Sequence, residues 1–389
     1  MSRNLFRIQH WLILLLAGIS ISGCTSPILK NLGQSSQIEW AKIDETNTNL
    51  FDRADLPRVF HFPADHGAHL NFQTEWWYFT GNLKSEQGDD FGYQLTFFRR
   101  ALQPQNDSIS RTSDLAANQI YMAHFTVTHA GTNRFYPFQR FNRGDNQLAG
   151  ALTDPFLKVW LADWQVQQIS DNDFQLKAQS DGVEIDLYLS DEHGIILQGD
   201  KGLSRKSSDT ASYYYSIPRL TTKGTINIDQ EEFRVTGTSW MDHEFSTSAL
   251  SGNQVGWDWF ALHLDDGKDI MAYRMRNLDG SVDPNSNGSL FVPGQPLFGL
   301  SVKDFNISST GTWKSPTSNA EYPSGWRMII PSQGIDLKIT PLIKDQELNF
   351  AFTYWEGAVL IEGVVNGISV SGSGYVELTG YAHSMQGQF

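Results

Sequence analysis

Two acids and a tryptophan alternate in the second half of the chain with a spacing that could support acid catalysis. In the run Trp240-Met241-Asp242-His243-Glu244, a strand would place the tryptophan and both acids on one face and the histidine on the other. Carboxyl groups in aromatic surroundings tend to have raised pKa values, which keeps them protonated as a general acid requires. The pattern predicts acid-catalysed addition of water to an apolar alkene, or loss of water from the hydrated product.

A third acid lies in a second aromatic run nearby. Asp258 stands between Trp257 and Trp259, which in a strand point away from it, and aromatic faces can stabilise a cationic intermediate. The alternative is a structural seam in which the acids pair with Arg274 or Arg276. The sequence leaves both interpretations open.

Glu75 opens the aromatic run of the first half. In a strand it shares a face with Trp77, while Trp76 points the other way. A carboxylate among bulky apolar neighbours needs a partner or a proton. A buried salt bridge to Arg99 or Arg100 is as well supported as a catalytic role.

Three histidines and an aspartate precede that strand and invite comparison with a metal site. His61, Asp65, His66 and His69 fall within nine residues, but their spacing fits no standard zinc pattern. Gly67 indicates a turn whose polar side chains bond the backbone, and we favour that interpretation. We therefore predict no metal and no other cofactor.

Charge and motif content exclude several functional classes. The 389 residues carry a net charge of −14, which argues against nucleic acid as a partner. The sequence contains no G-x-S-x-G, H-E-x-x-H, P-loop or G-x-G-x-x-G motif, so serine esterases, zincins, nucleotide enzymes and dehydrogenases are not indicated.

The N-terminus predicts export and lipid anchoring. Arg3 and Arg7 precede a short apolar run that ends at Ile21-Ser22-Gly23-Cys24, the layout of a secretory signal, and the site resembles that of a bacterial lipoprotein. Cys24 is the only cysteine, and we expect it to be acylated. Residues 1–23 would be the signal and 24–55 a tether. The expected location is the cell envelope, on the outer membrane facing the periplasm if the host is Gram-negative.

The remainder of the sequence predicts an all-β protein built from a diverged repeat. Short alternating runs are separated by turn signals such as Asp181-Gly182 and Asn366-Gly367. The aromatic run at Trp76 recurs at Trp257, and residues 235–242 are echoed by residues 370–377. Each unit thus begins and ends alike, as in a barrel whose first and last strands pair. We predict two barrels, at residues 56–240 and 241–389.

Longer motifs resemble one known family. Residues 65–69 (DHGAH), 74–78 (TEWWY), 240–245 (WMDHEF), 255–260 (VGWDWF) and 374–380 (GYVELTG) resemble the AttH-like, hydroxyneurosporene-synthase-like lipocalin family. The resemblance covers about residue 59 to the C-terminus. It implies two tandem lipocalin-like antiparallel β-barrels, an apolar ligand of lipid or isoprenoid type, and an ABC transporter as an expected partner, because exported members are often encoded beside transporter genes.

The resemblance also implies roles for individual residues. One branch of the family is carotenoid 1,2-hydratase, and others are called hydrolases. On the hydratase analogy Asp258 would donate the proton, Trp240 and Trp257 would stabilise the cation, and Asp242 or His243 would position the water. The candidate ligand-binding residues are Trp240, Trp257, Trp259, Glu75, Trp77 and Tyr375.

Two main hypotheses follow from the sequence. The first is a lipid-anchored envelope protein that binds an apolar ligand in or between its barrels and passes it to a transporter. The second is an enzyme, either a hydratase acting on an apolar alkene or a secreted hydrolase. An assembly factor, with barrels that serve only as an interaction surface, is a further alternative.

Overall fold

A computed structural model describes residues 50–104, 118–144, 148–153, 155–247 and 250–388. The predicted signal, Cys24 and the tether up to residue 49 lie outside these residues. In the described ranges, no helix has the length and apolar composition of a membrane span. Within the described residues, three short 3-10 turns, Ala64–His66, Ala130–Thr132 and Pro331–Gln333, interrupt a structure built almost entirely from strands.

The first sheet is antiparallel and curls into a nearly closed barrel. Its strands are β1 (Thr74–Ser85), β2 (Asp90–Ala101), β3 (Gln119–His129), β4 (Arg134–Arg143), β5 (Ala149–Leu152), β6 (Lys158–Leu161), β7 (Trp164–Gln168), β8 (Asp173–Ser180), β9 (Val183–Asp191), β10 (Ile196–Leu197), β11 (Leu203–Arg205), β12 (Ala211–Ile228) and β13 (Glu231–Ser246). Their order is β4-β3-β2-β1-β13-β12-β9-β8-β7-β6-β5, and β10 and β11 pair with β12.

The second sheet repeats this plan with fewer strands. Its strands are β14 (Gln254–Leu264), β15 (Asp269–Asn277), β16 (Asn287–Phe291), β17 (Phe298–Ser301), β18 (Asn306–Ser309), β21 (Trp326–Ile330), β22 (Ile335–Pro341), β23 (Glu347–Asn349), β24 (Thr353–Val365) and β25 (Ile368–Leu378). Between β18 and β21, strands β19 (Thr312–Lys314) and β20 (Glu321–Pro323) form a separate two-stranded ribbon. The order is β17-β16-β15-β14-β25-β24-β22-β21-β18, with β23 on β24. The fold is therefore all-β with two lipocalin-like barrels, as predicted.

The first and last strands of each barrel pair with each other, as the repeat predicts. β1 pairs with β13 and β14 pairs with β25, both antiparallel. The glycines of the repeated motif allow this pairing: a Cβ at Gly237 would lie 2.1 Å from the Asn82 carbonyl oxygen, and one at Gly372 would lie 2.1 Å from that of His263. Any side chain here would push the closing strands apart.

The hairpin tips follow from the sequence. Asp181-Gly182 and Asn366-Gly367 have positive φ at both residues, the requirement of a tight two-residue hairpin. The predicted boundary between residues 240 and 241 falls within β13, which continues in the first sheet to Ser246, and the second sheet begins at Gln254.

The buried apolar side chains lie either inside one of the two barrels or in a seam, which is the layer where the outer faces of the barrels pack together. Alternation along β1 sends Trp77 and Phe79 into the first barrel, while Tyr78 faces the second barrel. The seam also contains Trp240, Trp259, Met271 and Tyr375 among its buried residues. The outer faces of the closing strands therefore form a second apolar layer between the barrels, and the candidate site lies there.

Candidate active site

A cavity of about 60 Å³ opens in the seam between the two barrels. It is lined by Trp76, Tyr78, Gln94, Phe98, Lys206, Tyr214, Asp242, Glu244, Trp257, Trp259, Tyr273, Met275 and Glu377. The volume suits a few water molecules or the reacting end of a larger ligand. Trp76, Trp257 and Glu377 are only half-buried, so they form the part of the wall nearest to solvent.

The cavity is built from equivalent positions of the repeat. The strand register places Tyr78 opposite Asp242 and Trp259 opposite Glu377. Since β14 repeats β1 and β25 repeats β13, Tyr78 corresponds to Trp259 and Asp242 corresponds to Glu377. Each barrel therefore contributes one aromatic residue and one acid from matching sites.

Asp242 is held by three donors at the cavity wall. The Tyr214 hydroxyl donates to Oδ2 at 2.7 Å, while Trp240 Nε1 and the Ser216 hydroxyl donate to Oδ1 at 2.7 and 2.5 Å. Burial raises the pKa of Asp242 to about 7, because desolvation outweighs the hydrogen bonds that favour the anion and the Glu244 charge adds to it. This carboxyl can exchange a proton near neutral pH.

Glu377 is the corresponding acid of the second barrel. Trp257 Nε1 donates to its Oε2 at 2.9 Å. Burial raises the pKa of Glu377 to about 7, and the charges of Glu244 and Asp242 push it the same way. The mutual influence of Asp242 and Glu377 means that ionising one disfavours ionising the other. Near pH 7 the pair can supply one acid and one base.

Lys206 and Glu244 form an ion pair at one end of the cavity, with Lys206 Nζ 3.0 Å from Glu244 Oε1. Both side chains are nearly buried. Burial lowers the pKa of Lys206, but the charge of Glu244 outweighs it and leaves the pKa above its ordinary value. This end of the cavity therefore carries an ion pair.

Asp258 lies outside the cavity lining. Its fully buried carboxyl accepts from Arg274 Nη2 at 2.7 Å, Arg276 Nε at 3.0 Å and the Tyr381 hydroxyl at 2.9 Å. These are the arginines that the structural alternative named. Its neighbours Trp257 and Trp259 face the opposite way and line the cavity, as alternation predicts.

His243, Glu75 and Trp77 meet inside the first barrel and away from the cavity. His243 Nε2 lies 2.8 Å from Glu75 Oε1, and Arg99 Nε donates to Oε2 at 2.8 Å. Burial raises the pKa of Glu75, but the Arg99 charge and the histidine hydrogen bonds outweigh it and hold the pKa well below its ordinary value. The Trp77 ring stacks on His243 with centroids 5.0 Å apart. The salt bridge to Arg99 that the sequence suggested is thus present.

His69 and Asp65 of the N-terminal histidine cluster extend the network around Glu75. His69 bridges Glu75 and Asp65, with nitrogen–oxygen distances of 2.8 and 2.9 Å. Ligand atoms of His69, Glu75 and His243 lie within 4.8 Å of one another, close enough to share an ion. Arg99 already places a buried positive charge on the same carboxylate, which opposes a second cation there.

His66 and His61 have separate partners. His66 Nδ1 lies 2.7 Å from the Tyr215 hydroxyl, and burial lowers the pKa of His66 to about 3. The backbone N–H of His61 donates to Asp65 Oδ2 at 2.5 Å. The backbone contact is of the kind that the turn interpretation expects.

The structure brings together some predicted residues and adds others. Trp257, Trp259 and Asp242 line the cavity, whereas Trp240 and Tyr375 are buried behind it in the seam. Sequence reasoning missed Lys206, Tyr214 and Glu377, which come from distant parts of the chain. Of these, Glu377 had a signal in the repeat, which matches residues 235–242 with 370–377 and so pairs it with Asp242.

Comparisons with known proteins identify a family and a shared fold. The sequence model of the AttH-like protein family matches residues 53–381 of this chain. A search of curated proteins found no match. The AttH-type protein NE1406 of Nitrosomonas europaea is 32% identical, with a TM-score of 0.74 over 85% of this chain and 100% of that one.

Two more distant structures share the fold. Kievitone hydratase of Nectria haematococca is 15% identical, with a TM-score of 0.64 over 86% of this chain and 96% of that one. CghA is 11% identical, with a TM-score of 0.51 over 87% of this chain and 97% of that one. At these identities the similarity concerns the fold alone.

Proposed function

The chain belongs to the AttH-like family, and we propose that its inter-barrel pocket binds an apolar ligand and adds water to one of its carbon–carbon double bonds. The observation that carries this proposal is the pair Asp242 and Glu377, two carboxyls with pKa values of about 7 in one aromatic-lined cavity. A group that titrates near the working pH is the most effective proton carrier.

The hydrogen bonds favour different roles for the two acids. Asp242 accepts three donors that favour its anion, whereas Glu377 accepts one, from Trp257. Glu377 is therefore the better proton donor and Asp242 the better base. Glu377 gives its proton to an alkene carbon, water bonds to the resulting cation, and the water proton passes to Asp242. Exchange with solvent then returns both groups to their starting states.

The aromatic lining supports the cation that this route requires. Trp76, Trp257 and Trp259 present ring systems to the cavity, and indole faces attract positive charge more strongly when water is excluded. Asp258 is not assigned the proton, because Arg274 and Arg276 hold it as an ion pair. The hydratase named among the structures of the same fold gives further support to this reaction class.

A carrier that releases its ligand unchanged is the second candidate. The largely aromatic cavity favours it, since such a lining binds apolar groups with no need for chemistry. Anchoring through an acylated Cys24 in the cell envelope, outer membrane if the host is Gram-negative, and delivery to an ABC transporter would suit this role. These features rest on the N-terminal sequence and on the family resemblance.

Native mass spectrometry with lipid extraction tests the two functions. The protein without its signal is purified as wild type, Glu377→Gln and Asp242→Asn, and the bound molecules are compared. A hydrated product on the wild type and its unreacted precursor on the variants would support the enzyme. An identical molecule on all three would support the carrier and remove both acids from any reaction.

A further inference from the structure

The two halves of the cavity are built from equivalent positions of the repeat, and they differ in charge at one end. Trp76 and Trp257 correspond in the repeat, and the residues opposite them are Phe98 and Met275. Glu244, opposite Trp76, has Thr379 as its counterpart, and Thr379 Oγ1 is hydrogen-bonded to the backbone of Trp257. The charged pair of Lys206 and Glu244 therefore has no equivalent on the second barrel.

The Lys206 ammonium is fixed in place. Its Nζ lies 4.2 Å from the ring centroid of Tyr273 and 5.0 Å from that of Tyr214. Tyr273 is held in turn by Ser204 and Asn287, at 3.0 and 2.6 Å from its hydroxyl. Gln254 Nε2 donates to the Lys206 carbonyl at 2.7 Å, so both the backbone and the head group of this lysine are anchored.

Lys206 and Glu244 also have hydrogen-bonding groups that their ion pair does not use. Among the described residues, Lys206 is the one ionic or hydrogen-bonding partner of Glu244, through Oε1, which leaves Oε2 open. An ammonium has three donors, and Glu244 accepts one of those of Lys206. The remaining donors of Nζ and the Oε2 acceptor thus belong to one ion pair at the cavity wall. An apolar pair of similar volume would pack there without the desolvation penalty of the two charges.

We infer that the ligand of this pocket is an alcohol with an apolar body, and that its hydroxyl docks between Lys206 and Glu244. The hydroxyl oxygen accepts from Nζ, and its hydrogen is donated to Glu244 Oε2. A pure hydrocarbon would leave the remaining donors of Nζ and Glu244 Oε2 without partners. A carboxylate could accept from Nζ, but it has no hydrogen to donate to Oε2 and would be repelled by the charge of Glu244. This inference rests on the proposed function and names its substrate class.

The charge pair would also set the orientation of the ligand. With the hydroxyl at the Lys206 end, the apolar body runs along Trp76, Trp257 and Met275. A double bond in that body then passes between the acids from the two barrels, Asp242 and Glu377. The charge pair thus favours one of the two binding directions along the cavity.

Binding of three matched probes tests this inference on the signal-free protein. Geraniol, the hydrocarbon of the same skeleton that lacks the hydroxyl, and geranic acid are titrated by tryptophan fluorescence. Geraniol should bind about tenfold or more tightly than either, since sites built for a hydroxyl discriminate strongly against analogues without it. Equal or tighter binding of the hydrocarbon or the acid would overturn the inference alone. Failure of all three to bind would overturn the proposed function with it.

A double variant localises the preference. Lys206→Met with Glu244→Met removes the pair at similar volume and should bind geraniol and the hydrocarbon equally. The control removes the exposed pair of Lys338 and Glu362, 3.6 Å apart on β22 and β24, by Lys338→Met with Glu362→Met and should keep the preference for geraniol. A preference that survives in the first variant would contradict the assignment to Lys206 and Glu244. The probe series on the unmodified protein tests it even if that variant fails to fold.

Discussion

Tyr78 and Trp259 occupy equivalent positions of the two barrels and pack edge to face across the seam, with ring centroids 5.2 Å apart. Their strand partners are the two cavity acids: Asp242 lies opposite Tyr78 and Glu377 opposite Trp259. Residues related by the repeat thus meet at the centre of the molecule. A barrel alone would expose this aromatic face and would present one acid in place of two.

Removing either acid should strongly lower turnover and leave binding nearly unchanged. In Glu377→Gln and Asp242→Asn, we expect the rate of hydration to fall by about 10²–10⁴, the usual contribution of a general acid or base. Affinity for the ligand should change little, because the aromatic lining is intact. Single-turnover kinetics and equilibrium titration separate the two effects. Asp265→Asn, at an exposed hairpin, is the control, and a comparable rate loss there would discredit the assignment.

The raised pKa of Asp242 predicts how stability depends on pH. The unfolded chain releases this proton near pH 4, whereas the folded protein keeps it to about pH 7. This group therefore lowers stability as the pH rises from about 4 to 7, with no further change above that. Relative to Asp242→Asn, the wild type should lose about 2–3 kcal/mol between pH 5 and pH 8. Urea unfolding of both proteins at the two pH values measures the difference, and a constant difference would show that Asp242 is not protonated in the folded state.

Asp258 should prove important for the stability of the folded protein and dispensable for the reaction. Asp258→Asn leaves Arg274 and Arg276 without their carboxylate, and breaking such a buried pair destabilises by about 3 kcal/mol or more. At a temperature where the variant remains folded, we expect turnover close to that of the wild type. If turnover is instead lost in a folded variant, the role that the family resemblance gave Asp258 is the correct one.

The Glu75 network should be a stability element of the first barrel. Glu75→Gln leaves the buried Arg99 guanidinium uncompensated, and we expect a loss of about 3–5 kcal/mol in the free energy of unfolding. Glu75→Gln with Arg99→Met should recover part of this loss, because the orphaned charge is also removed. Denaturant unfolding of the two variants tests the coupling, and equal losses in both would argue against it.

Cys24 should carry the membrane anchor. When the full chain is expressed in a Gram-negative bacterium, we expect it to fractionate with membranes and to incorporate labelled fatty acid. Cys24→Ser should remain unlabelled and leave the membrane fraction. Membrane association that persists without the label would point to a different means of attachment.

Periodicity and repetition made much of this structure predictable. The alternation along residues 240–244 places Trp240 and Asp242 on the seam side and His243 in the first barrel, as expected. The echo of residues 235–242 in 370–377 marks the closing strands because a glycine is needed where they meet. Alternation operates within a single strand, and the repeat is visible in the sequence itself, so neither prediction needs knowledge of how the rest of the chain packs.

The cavity itself could not be read from local patterns. Lys206 follows the short strand β11 and reaches Glu244 across the sheet, a contact that depends on how the loops pack. Asp258 and Asp242 have the same aromatic surroundings in the sequence, yet one faces two arginines and the other faces the seam. Only the direction of each strand within its barrel decides which acid pairs with arginines and which lines the cavity with a raised pKa.

Incorporation of oxygen from labelled water tests the central claim most directly. Wild type, Glu377→Gln and Asp242→Asn are incubated with the apolar lipid extract of the host in H₂¹⁸O, and the extract is analysed by mass spectrometry. We predict a product that gains one molecule of labelled water with the wild type and not with either variant. A wild-type protein that binds a lipid from the extract and returns it without ¹⁸O would contradict the hydratase and leave the carrier as the function.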